Sequence, residues 1–289
     1  MRAQFEATTY EKYLISELAH TRSLFFPPGQ VTEDIVSFAV GVRNSKRAFW
    51  RLFPHMYPRW RRMLFQLPPG TPLGVEWWLQ LEQEIENFPK FKFNCFIQAR
   101  RPERMEPGES GTNAPWKKPY FRYDLAAGQH QALATLAKAA SANTMVVYAS
   151  PAFCTSAELW AAIDGGTLVE RSSFCEAAKL KSRSRYCFSS AGGTGVIQPG
   201  MARIKSAAFD RTLEALNEVQ PVESNLAFLI ATAEAVHGAA EQLGDQQETY
   251  QAVVASLFKE SASPLAAALA RIYAFQFACN VQLMIGYAD

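Results

Sequence analysis

Acidic residues are missing from two long stretches of this 289-residue chain. None lies between Asp34 and Glu76, a span that holds Arg43, Lys46, Arg47, Arg51, Arg59, Arg61 and Arg62. None lies between Glu176 and Asp210, where Lys179, Lys181, Arg183, Arg185, Arg203 and Lys205 fall. The net charge of +2 conceals this asymmetry. Of 29 bases and 27 acids, residues 206–289 carry three and ten, which leaves 26 and 17 for residues 1–205. A front two-thirds with this excess attracts phosphate, and an acidic third follows it.

Other absences narrow the class. No apolar run approaches the eighteen or so residues of a membrane span, and the opening MRAQFEATTYEKYL has no apolar core of a secretory signal. The five cysteines (95, 154, 175, 187 and 279) are odd in number and contain no CxxC pair. They read as free thiols of a reducing compartment, so the expected location is the cytoplasm. There is no GxSxG, and the glycine-rich run 192–195 lacks the Gly-Lys-Ser/Thr ending of a P-loop, so it reads as a turn. The four histidines (20, 55, 130 and 237) have no metal-ligand spacing. With 48% apolar and 12% aromatic residues, the chain has the material for a sizeable core.

What is present alternates between strand and helix. Tyr13, Leu14 and Leu18 predict a helix over about 10–22 with Thr8 or Thr9 as N-cap, and Thr32 caps a second short helix carrying Glu33 and Asp34. Residues 49–66 mix aromatic and basic side chains, and 75–87 reads as a helix. The run from Phe91 to Arg100 alternates and is rich in β-formers, predicting a strand over 93–101. Further strands are expected at 120–123, 145–149 and 168–171, with helices at 128–140 and 158–163. The alternation argues an α/β core. After Lys205 the pattern changes, and 206–218, 223–243, 246–260 and 264–286 all read as Ala-rich helices. The expected organisation is a basic α/β domain over 1–205 and an acidic, all-α segment over 206–289.

The helix bearing Glu33, followed by a strand containing Gln98-Ala99-Arg100, resembles the PD-(D/E)XK, or restriction-endonuclease-like, nuclease superfamily over roughly residues 10–190. The resemblance implies a mixed central sheet flanked by helices and hydrolysis of a DNA phosphodiester with magnesium or manganese. Glu33 and Asp34 would lie at the metal, and Gln98 and Arg100 at the catalytic strand. One spacer puts residues 98 and 100 on the same face of a strand. Carboxylates hold a hard cation beside the phosphate, and a basic residue helps orient the attacking water. The chain departs from the pattern at Arg100, where the family carries lysine, and at Ala39, where it carries aspartate. Asp34, or one of Glu82, Glu84 and Glu86, could replace the missing acid. Phosphate contacts are expected from Arg43, Lys46, Arg47, Arg51, Arg59, Arg61, Arg62, Arg101, Lys181, Arg183 and Arg185. The implied setting is bacterial antiviral defence or DNA processing. The alternatives are a catalytically degenerate module that binds nucleic acid, or a regulatory scaffold. In either case a homodimer or a protein partner would use the C-terminal helices.

Overall fold

The computed structural model describes residues 1–21, 24–25, 82, 85–107, 116–139, 143–180, 185–198, 201–206, 209–257 and 263–288. The expected helix after Thr32, the aromatic stretch 49–66 and most of the helix expected over 75–87 lie outside the described residues, as do Glu33, Asp34, Arg43, Lys46, Arg47, Arg51, Arg59, Arg61, Arg62, Lys181 and Arg183. The first helix, α1 (Ala7–Thr21), places Tyr10, Leu14 and Leu18 one turn apart, and all three are fully buried. It begins at Ala7, ahead of both expected caps, so Thr8 and Thr9 sit inside its first turn.

One mixed sheet forms the centre. It contains β1 (Leu24–Phe25), β2 (Phe91–Ala99), β5 (Thr144–Pro151), β6 (Ser172–Glu176) and β10 (Gln282–Tyr287), in the order β1-β10-β2-β5-β6. Only β2 and β5 are parallel, with Phe96 opposite Val146 and Gln98 opposite Tyr148. Both are buried on both faces along almost their whole length, which suits continuous apolar runs. The expected strand at 93–101 thus lies two residues earlier. The strand expected at 168–171 is corrected to 172–176. Leu168 and Val169 instead donate their amides to the Glu17 carboxylate at 2.8 and 3.0 Å, and Arg171 closes a turn on Thr167 O. That local bonding outcompetes the β-propensity of Leu168 and Val169.

A second, wholly antiparallel sheet contains β3 (Glu103–Met105), β4 (Tyr120–Asp124), β7 (Arg185–Phe188), β8 (Thr194–Gln198) and β9 (Ala202–Lys205), in that order. Residues 189–193 form the β7–β8 turn, as the glycine run suggested. Two cores result. On one face of the central sheet, α1, α3 (Ser156–Asp164) and α4 (Phe209–Asn217) cover Phe93, Cys95, Ile97, Val147 and Met284. On the other, α2 (Ala127–Ala139), α5 (Asn225–Ala240), α6 (Gln247–Leu257) and α7 (Pro264–Cys279) pack with the inner face of the second sheet around Phe96, Tyr148 and Leu283. The class is α/β with mixed sheets.

The all-α reading of residues 206–289 is corrected. The helix expected through 286 stops at Cys279 because Asn280 takes a left-handed conformation (φ 48°) and caps it, and the following β-formers make β10. Since β10 lies between β1 and β2, no boundary at residue 205 separates an appendage from the sheet. No helix among the described residues is long and apolar enough to cross a membrane.

Two carboxylates considered above as metal ligands serve these helices instead. Glu86 accepts from the Ser224 hydroxyl (2.6 Å), from the Asn225 and Leu226 amides (3.2 and 3.0 Å) and from Lys90 (2.6 Å), so it closes the N-terminus of α5. Glu82 accepts from the Ser263 hydroxyl at the N-terminus of α7. Partial burial opposes the charge on Glu86, but these hydrogen bonds together bring its pKa from 4.5 down to about 2. Replacing it with glutamine is expected to cost about 1 kcal/mol at pH 7, a modest figure because the side chain is 38% exposed. A depressed folded pKa means the contribution is complete above pH 4.5 and is lost as the pH falls towards 2. The melting-temperature gap between wild type and Glu86→Gln should therefore close across that window. A gap independent of pH would show that the charge plays no part.

Candidate functional site

The carboxyl ends of the two parallel strands, on the face covered by α2 and α7, gather polar side chains in an otherwise apolar core. Gln98 is completely buried, and its amide donates to Cys279 O at the end of α7 and to Gln129 Oε1 (3.4 Å) in the first turn of α2. Gln129 in turn donates to Ala278 O (3.0 Å). The Gln98 carbonyl oxygen accepts from Arg100 (2.7 Å). Arg100 follows β2 directly, and its amide continues the parallel ladder to Ala149 O (2.8 Å). Residues 98 and 100 thus share one face and one hydrogen bond, as their spacing requires.

Arg100 is only partly buried, and its guanidinium lies 5.6 Å from the centre of the Tyr148 ring. Its Nε has no partner, and no carboxylate among the described residues pairs with it. Around it stand Tyr148, whose hydroxyl lies 3.0 Å from His130 Nδ1, and Tyr123, whose ring centre is 6.1 Å from that of Tyr148. Tyr186 follows, 5.4 Å from Tyr123 and beside Ser173 and Cys175. Ser173 faces Ser150 across the β5–β6 ladder. Among the described residues, the hydroxyls of Tyr123 and Ser150 are buried without a hydrogen-bond partner, while that of Tyr186 lies against Ser173 and Cys175. Burial pushes the phenols of Tyr123, Tyr148 and Tyr186 far above their ordinary range and the Cys175 thiol up to about 12, so all four keep their protons at neutral pH.

Of these residues, only Gln98 and Arg100 were expected from the sequence. The hydroxyls were missed, although a signal exists: Tyr148 and Ser150 alternate on a strand that is otherwise apolar, and Ser173 and Cys175 repeat the pattern on its neighbour. Two of the cations expected at phosphate are held by acids. Arg101 pairs with Glu6 (2.8 Å) and also donates to Ala3 O, and Arg185 pairs with Asp124 (2.7 Å). Neither arginine lies in the Gln98–Arg100 cluster.

The described part of the site does not suit a divalent cation. No group of three His, Cys, Asp or Glu residues able to hold a metal occurs among the described residues. The Gln98 oxygen, the natural neutral ligand, faces a guanidinium that would repel a metal ion. Among the described residues the cluster combines the fixed positive charge of Arg100 with protonated hydroxyls, and Glu176 and Lys179 flank it at Cys175. Set against protein-family models, curated proteins and solved structures, the chain matches none of them.

Proposed function

We propose that this chain is a nucleic-acid-binding protein of restriction-endonuclease-like build, with DNA the favoured polyanion, and that Arg100 contacts a backbone phosphate. The observation that carries this reading is Arg100 itself. Its guanidinium is partly buried, its Nε is unpartnered and no carboxylate among the described residues pairs with it, which leaves a positive charge that an anionic ligand would complete. The basic balance of residues 1–205 supports the same partner, because unpaired lysines and arginines release counterions when they meet phosphate.

Magnesium- or manganese-dependent cleavage of the phosphodiester is the second reading. It is favoured by Gln98-Ala99-Arg100 on the β2 strand and its end, with Glu33 and Asp34 as the ligands it would need. A regulatory subunit without cleavage would keep the binding and lose the chemistry.

Duplex DNA titrated into the protein at increasing salt tests the first reading. The logarithm of the affinity should fall linearly with the logarithm of salt. Arg100→Ala should bind about tenfold more weakly at low salt and reduce the slope by about one. An absence of binding at low salt refutes the proposal. Plasmid incubated with excess protein and magnesium or manganese decides the second reading: intact plasmid excludes cleavage.

A further inference from the structure

We infer that the open edge of the antiparallel sheet, strand β9, tracks one strand of a DNA duplex, with Arg203 and Lys205 on two successive phosphates. The inference deepens the nucleic-acid reading and rests on it for the identity of the polyanion. β9 ends the sheet order, and its other side has no partner strand among the described residues. Ile204 packs partly against the core between the sheets, so Arg203 and Lys205 point to the opposite, outer face, and both are exposed. No acid among the described residues pairs with either, and none occurs in the sequence between Glu176 and Asp210. The other cations of this sheet are held by acids: Arg122 by Glu103 (2.7 Å), Arg185 by Asp124 (2.7 Å) and Arg104 by Glu106 (3.2 Å).

The backbone adds donors at the same two residues. Ser206 donates its amide to Gly193 O (3.1 Å), which fixes the alternation of the β8–β9 ladder. In that register Ala202 and Ile204 bond to β8, while Arg203 and Lys205 turn their amides to the open edge. Each of the two thus offers a cationic side chain and a free N–H. Residues two apart on a strand lie about 6.8 Å apart, close to the separation of successive phosphates along one DNA strand. The opposite edge of the sheet is closed. There Arg2 bridges Glu103, Ala3 donates to Pro102 O (3.0 Å) and Arg104 donates to Met1 O (2.8 Å). Lysine and arginine on an edge also deter pairing with another chain, a role that leaves DNA affinity untouched.

The test follows binding of a short DNA duplex against salt for the wild type, Arg203→Ala/Lys205→Ala and Arg104→Ala. The double variant should reduce the slope of log affinity on log salt by about two and bind roughly thirtyfold more weakly at low salt. Arg104→Ala removes a cation already held by an acid at the closed edge, and should change the slope by less than about half a unit. All three side chains are exposed, so both variants should melt with the wild type. If the wild type binds and the double variant keeps its slope, the inference is overturned while the nucleic-acid reading stands. Self-association of that variant would then assign the two cations to guarding the edge. An equal slope change per charge in Arg104→Ala also overturns it, since net charge alone would account for the loss. If a polyglutamate peptide binds the wild type and not the double variant while DNA affinity is unchanged, the edge takes an acidic protein strand and the assignment to DNA falls. A wild type that binds no duplex at low salt removes the underlying reading, and the inference with it.

Discussion

Replacing Gly286 with alanine is expected to destabilise the protein by about 3 kcal/mol and to lower its melting temperature by roughly 6–10 °C. Gly286 stands opposite Phe93 in the antiparallel β10–β2 ladder. A methyl group at residue 286 would land on the Phe93 ring, three of whose carbons are its nearest neighbours. The ring cannot swing aside, because Phe93 is completely buried in the core under α1, α3 and α4. The glycine is therefore required for space and not for an unusual backbone angle, as its φ is not positive. Thermal or urea denaturation checks the loss. Gly286→Ala/Phe93→Leu, which trims the ring, should recover part of it. A neutral Gly286→Ala would mean that the ring does not cover residue 286.

Gln98→Ala is expected to cost a similar amount, about 3 kcal/mol, by a different route. The substitution leaves Cys279 O without the Gln98 donor and Arg100 without the Gln98 acceptor, and it opens a cavity where a buried side chain stood. The same side chain ties the end of β2 to the end of α7 and the start of α2, so its loss loosens three elements at once. The urea midpoint should fall with an unchanged slope. A loss below about 0.5 kcal/mol would show that the carbonyl and the guanidinium find other partners. Measured beside Arg100→Ala, the pair separates support from contact: residue 98 should act mainly on stability, residue 100 mainly on phosphate affinity.

The elements that were legible are those whose local signals agree with their burial. The alternation in Phe91–Ala99 and the apolar run at 145–149 mark β2 and β5 to within two residues. Tyr13, Leu14 and Leu18 mark α1, which starts at Ala7, three residues before the expected start. The β7–β8–β9 meander was not legible because its strands are only four or five residues long and carry mixed polar residues. β10 was hidden by the Ala-rich helix before it, whose periodicity runs on until Asn280 breaks it. In the candidate site the spacing of Gln98 and Arg100 was readable, since a strand fixes it. What the spacing could not convey is occupancy. Arg101 and Arg185 look free in the sequence, yet their acids, Glu6 and Asp124, lie 95 and 61 residues away. Ser150, Ser173 and Tyr186 were silent for a related reason: single hydroxyls on strands gain meaning only when two sheets bring them together.

The position of β10 has a consequence for how the chain is made. Ile97 of β2 pairs with Gln282, so about 185 residues must follow β2 before its neighbour exists. At translation rates of roughly 5–20 residues per second, the β2 edge waits on the order of ten to forty seconds. During that time Phe91–Ala99 presents a flat apolar edge with unpaired amides and carbonyls, the kind that pairs with a second chain. Such non-local closure is slow even once the strand is available. Crowded nascent chains would therefore aggregate through β2, and slower synthesis at low temperature or a chaperone that covers extended apolar segments would raise the yield of folded protein.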